Sequence, residues 1–189
     1  MTAARARSRR GLSGLCWLAL TLPLACVAHE YTKGEPSTAA GRAPKARVHV
    51  LSQHEGPRTF VIAFGPGDEV LAGLHELART RDWKSAHFSG IGSFSRASLG
   101  WYDFGRKEFR KLPRHGTLEV VSFSGNVTVD EQGAPIVHVH CAVADEEGTV
   151  TGGHLLEATV AATLEVFLTA EPLPVRKALD DTLGSKVIQ

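Results

Sequence analysis

The chain has 189 residues, 43% of them hydrophobic, which is enough for one well-buried domain and leaves no room for two. Its formal net charge is +1, but four arginines and no acids fall in the first 28 residues, so a chain cut there carries 17 basic against 20 acidic residues, a net of −3. That balance argues against nucleic acid, where a basic face does most of the non-specific binding.

Residues 1–28 read as a secretory signal peptide. Arg5, Arg7, Arg9 and Arg10 precede an uncharged, leucine-rich run from Gly11 to Ala25 that is short for a membrane span and ends in small residues. Two cleavage readings compete. Leu22-Pro23-Leu24-Ala25-Cys26 is similar to a bacterial lipobox, which makes Cys26 the lipidated first residue, although Pro23 departs from the usual aliphatic residue there. Cys26-Val27-Ala28 instead offers release after Ala28. Either way the expected location is the bacterial periplasm or the envelope membrane, with membrane contact only through a lipid on Cys26. Cys16 leaves with the signal and Cys141 sits on an apolar strand face, so no intramolecular disulfide is expected.

Residues 29–46 lack apolar periodicity and read as a flexible tether, leaving 47–189 as the folded domain. Two short strands, Val48 to Leu51 and Thr59 to Phe64, open it. After Gly65-Pro66-Gly67, a helix is predicted from Val70, Leu71, Leu74, Leu77 and Ala78 on one face, with Asp68 and Glu69 in its first turn. His75 sits beside that face and reads as a helix-surface residue. Strand signals then dominate: Ser85 to Ser89, Ala97 to Tyr102, Glu108 to Leu112, Leu118 to Val129, Pro135 to Ala144, Thr149 to Leu156 and Thr163 to Thr169. Gly90 and Gly92 suggest a bulge or tight turn. A short helical patch is expected around Arg176 to Leu183. Many strands with one main helix predict an α+β single compact domain with a mostly antiparallel, curled sheet.

The chemistry concentrates in two of these strands. In Ile136 to Val143, His138 and His140 share one face while Val137, Val139, Cys141 and Val143 form the other. If Glu146-Glu147-Gly148 is a three-residue turn with Gly148 left-handed, Asp145 pairs with Thr149 and His140 lies opposite His154. Three neutral imidazoles on one face can hold a divalent ion and leave one tetrahedral position open. Gly152-Gly153, just before His154, permits close backbone approach.

From about Phe60 to Gln189 the order of motifs resembles the PPC (plants and prokaryotes conserved) domain family. Gly67-Asp68-Glu69-Val70-Leu71, Ala86 to Phe94, Leu99 to Asp103 and Leu118 to Gly125 carry the likeness. So do His138-Val139-His140, Gly152 to Ala158 and Thr163 to Val166. The resemblance implies a compact α+β fold, a homotrimer in prokaryotic members, and a zinc-type ion on the residues matching His138, His140 and His154. Plant members add AT-hooks and act at DNA. Gly41-Arg42-Ala43-Pro44-Lys45 is the nearest approach to a hook here and lacks its Arg-Gly-Arg-Pro core.

Three functions compete. The first is a trimeric, metal-binding envelope module with no assigned reaction, in which Glu119 or Glu157 accepts hydrogen bonds from the ligating imidazoles. The second is a metal-dependent, hydrolase-like enzyme, with Glu119, Glu157 or Glu165 as general base and the metal lowering the pKa of water. No nucleophile elbow, phosphate loop or His-Glu-x-x-His helix is present to name a reaction. The third is DNA binding by family analogy, for which Arg96, Arg106, Lys107, Arg110, Lys111 and Arg114 gather near Trp101, Tyr102 and Phe109. Such a run equally suits a solvated strand edge that discourages aggregation.

Overall fold

The computed structural model describes residues 28–34, 38–52 and 56–189. The signal-peptide reading and the proposed lipidation of Cys26 lie outside the described residues. The elements in chain order are β1 (Tyr31–Thr32), β2 (Arg47–Val50), β3 (Arg58–Phe64), α1 (Val70–Thr80), β4 (Ala86–Asp103) and β5 (Glu108–Val129). They continue with β6 (Pro135–Ala144), β7 (Val150–Ala170), β8 (Lys177–Asp180) and β9 (Ser185–Ile188).

Every pairing between these strands is antiparallel, and the long ones close on themselves. β4 pairs with both β5 and β7, and β6 in turn pairs with both β5 and β7, so the four form a ring. Strands of 18, 22 and 21 residues cannot stay flat, because strand twist accumulates along them. Their register slips relieve the twist. One slip falls between Ser89 and Gly92, at the glycines read as a bulge or turn, and another between Phe94 and Arg96. The segments predicted separately on either side of these irregularities are therefore continuous strands. The result is the curled, mostly antiparallel sheet with one helix expected from the sequence.

The core fills the ring and the space beneath α1. Phe64, Phe94, Leu74, Leu99, Leu118 and Leu164 are among its fully buried side chains. Each is worth roughly 1.5–3 kcal/mol of burial free energy. Helix α1 buries Val70, Leu71, Leu74 and Ala78, with Leu77 partly covered. Asp68 and Glu69 stand just before the first turn rather than within it. Glu69 is the N-cap, accepting from Ala72 N (2.7 Å), Leu71 N (3.4 Å) and, from β7, Ala158 N (3.2 Å). Burial raises the Glu69 pKa against the pull of those backbone donors. Asp68 accepts from Gly65 N and Lys45 N, both at 2.9 Å.

The segment read as a tether touches the domain at several points. Tyr31 and Thr32 pair with Arg110 and Phe109, Ala43 and Ala46 pack on the core, and Glu69 N–H donates to Arg42 O at 2.9 Å.

The C-terminus corrects one expectation. The patch around Arg176 to Leu183 is not helical; it forms the first strand and turn of the β8–β9 hairpin. Asp180 decides this, because its carboxylate accepts from Thr182 N and Leu183 N while Gly184 N donates to Asp180 O with Gly184 at φ 65°. Those bonds close a single turn, which left-handed Gly184 then reverses instead of continuing as a helix.

Candidate metal centre

The turn between β6 and β7 forms as the residue pattern requires. Gly148 N donates to Asp145 O (3.0 Å), Asp145 N donates to Thr149 O (3.1 Å), and Gly148 adopts φ 79°. The Asp145 carboxylate also accepts from Thr149 N at 2.8 Å. This register sets His140 directly opposite His154. Val137, Val139, Cys141 and Val143 all turn into the core, so His138, His140 and His154 share the outer face.

One nitrogen from each of the three rings lies within 4.8 Å of the others. Ring centroids are 5.1 Å apart for His138–His140, 5.0 Å for His138–His154 and 5.7 Å for His140–His154. A tetrahedral ion about 2.0–2.1 Å from each nitrogen would set them roughly 3.4 Å apart. Closing onto an ion thus takes ring rotations that move nitrogens by about an ångström.

The donor chemistry fits a divalent cation. Burial first, then Lys177 and His140, lower the pKa of His138 to about 4. Burial first, then His138, His140 and Lys177, lower that of His154 to about 3. Both are therefore neutral at pH 7, the form that ligates. The nearby thiol stays out of the set: Cys141 faces the core, and burial pushes its pKa up to about 12.

Glycines bring the ligand strands to their neighbours. A Cβ on Gly153 would stand 2.6 Å from Gly100 O, whereas on Gly152 the nearest heavy atoms are 3.3 Å away. Gly153 is thus the glycine of the pair that the close approach needs. A Cβ on Gly125 would stand 2.3 Å from His138 O. Gly100 leaves room for Phe109, whose ring stacks on His154 at 4.5 Å and 20°. That stack holds the imidazole plane and shields one of its faces.

The proposed supporting carboxylates are elsewhere. Glu119 pairs with Ala144, four residues along β6 from His140 and so roughly 13 Å away. Glu157 is held by Arg96 (Nη2–Oε1 2.9 Å), and Glu165 is exposed eleven residues along β7 from His154. His75 reaches Pro135 O at 3.1 Å from the helix and is not part of the cluster.

Two side chains missed in the sequence stand beside the triad instead. Asn126 is paired with His138 across β5 and β6, and its Oδ1 is buried without a donor. Lys177, buried at 6% exposure, brings Nζ to 3.4 Å from His138 Nδ1. Its pKa is lowered by burial. The Asp180…Gly184 turn signal was the clue that could have placed Lys177 on a strand.

The basic stretch is largely engaged with its own domain. Arg96 meets Glu157, Lys111 meets Glu30, Lys107 donates to Asp181 O, and Arg114 Nε donates to Thr151 Oγ1. Arg110 lies over Trp101 and Arg106 over Tyr31, at 5.2 and 4.7 Å from the ring centroids.

The sequence model of the Plants and Prokaryotes Conserved (PCC) domain matches residues 51–171. A crystal structure of a candidate DNA-binding protein from Ralstonia eutropha JMP134 is similar at 33% identity and TM-score 0.66, covering 74% of this chain and 94% of that one. A metal-containing protein from Archaeoglobus fulgidus is similar at 28% identity and TM-score 0.64, covering 76% of this chain and 97% of that one. Among curated proteins, the bifunctional protein GlmU of Synechococcus sp. (strain JA-3-3Ab) is 28% identical over 151 residues. That match covers 79% of this chain but only 23% of the relative, so the chain spans about a quarter of its length.

Proposed function

The chain belongs to the Plants and Prokaryotes Conserved domain family, and from that premise we propose that it is an exported, homotrimeric, zinc-type metal-binding module of the cell envelope. The observation that carries the metal-binding part of this reading is the convergence of three imidazole nitrogens within 4.8 Å, two of them on histidines kept neutral by burial. The metal-containing relative from Archaeoglobus fulgidus supports it. A bound ion would be held by His138, His140 and His154, and it would supply a positive centre with a fourth position for a small ligand.

Assembly has its own support on the outer sheet face. Ile91, Val121 and Phe167 come from the adjacent strands β4, β5 and β7 and are 65%, 55% and 53% exposed. Ser124 is the register partner of both Ser89 and His140, which sets this apolar patch on the same sheet face as the triad. A subunit boundary over the patch would wall the metal centre.

The test is metal analysis of the purified, folded protein beside its His154→Ala variant. About one zinc, nickel or cobalt ion per chain is expected for the wild type, and a sharp loss of occupancy for the variant. A folded trimer that takes up none of these ions would overturn the reading.

The second reading is DNA binding, favoured by the name of the Ralstonia relative. Against it stand the net charge of −3 beyond residue 28 and the internal engagement of the basic stretch.

A further inference from the structure

The β8–β9 hairpin lies beyond residues 51–171, the stretch matched by the family, yet it is tied to the sheet beside the triad. Val129 N donates to Val175 O at 2.9 Å, Tyr102 OH donates to Leu183 O at 2.8 Å, and Lys186 approaches Asp130 at 3.8 Å. These ties deliver Lys177 to His138.

The charge balance there is one-sided. Among the described residues no carboxylate forms an ion pair with Lys177; the ion pairs involve Lys33, Lys84, Arg96, Arg106, Lys111 and Lys186. Neutral imidazoles contribute no negative charge. A dication on the triad would add a second positive charge beside the buried Lys177 ammonium, and buried charge is stable only when paired.

We infer that the site is completed by a small carboxylate, one oxygen on the open position of the ion and the other accepting from the Lys177 ammonium. The inference rests on the metal reading above and adds the class of ligand. Two cationic contacts match the two oxygens of a carboxylate, and charge-assisted hydrogen bonds of this kind are the strong ones.

Cobalt(II) loaded into the purified protein tests it, because the visible bands of the ion report its ligands. Acetate titration should shift those bands in the wild type. In Lys177→Met and Lys177→Gln the acetate affinity should fall about tenfold or more, while cobalt uptake is no weaker. Lys177→Arg, which keeps the charge, should retain acetate affinity within about threefold. Wild-type bands indifferent to acetate, or neutral variants that bind acetate as tightly as the wild type, would overturn the inference and leave the metal reading standing. A folded wild type that takes up no cobalt would overturn both.

Discussion

Replacing His138 and His154 together by glutamine should make the metal-free protein less sensitive to acid. Both histidines are neutral in the folded state until about pH 4 and about pH 3, whereas an unfolded histidine titrates near 6.5. The sign follows from linkage. Above 6.5 neither state binds the proton, so the two groups cost nothing there. As the pH falls below 6.5 the unfolded chain takes up protons that the folded chain refuses, and stability is lost until the folded values are reached. At pH 5, about 1.5 pH below the unfolded value, each histidine costs roughly 2 kcal/mol. Both are partly open to solvent, so a combined loss of about 2–4 kcal/mol is expected between pH 7.5 and pH 5. Glu69, with its raised pKa, works in the opposite direction, but it is present in both proteins and drops out of the comparison. Urea unfolding with a chelator, followed through buried Trp83, measures the difference at the two pH values. A double variant that loses as much stability on acidification as the wild type would refute the reasoning.

Gly153→Ala should destabilise the domain by about 2 kcal/mol or more and weaken metal uptake, because its Cβ would press on the Gly100 carbonyl and push His154 off register. Chemical denaturation and a metal titration of the same preparation check both effects. The protein without its leader should show little DNA affinity; a mobility shift at moderate salt that weakens steeply as salt rises would contradict this, since that slope counts phosphate contacts. Mass spectrometry of the cell-envelope fraction should find chains lacking residues 1 to about 25. A diacylglycerol on Cys26 would decide for the lipobox over release after Ala28, and an intact Met1 on cytoplasmic protein would end the export proposal.

The amino-acid sequence by itself determined the ligand face and its register. Strand alternation put His138 and His140 together, and a three-residue turn ending in Gly148 put His154 across from His140; both depend on only a few neighbouring residues. It also determined α1, whose apolar spacing repeats within the helix. What surrounds the triad depended on pairings between residues far apart in the chain, which no local period encodes. Phe109 stacks on His154 because Gly100, on a third strand, leaves the space. Glu119, on neighbouring β5, stands at the wrong register, and Glu157, on the strand of His154, is claimed by an arginine. Lys177 reaches His138 from 39 residues away because a turn built on Asp180 overrides local helical preference and the sheet holds the resulting hairpin. The ligands were legible because strand periodicity is short-ranged; their electrostatic setting was not, because closure of the sheet decides which distant charges become neighbours.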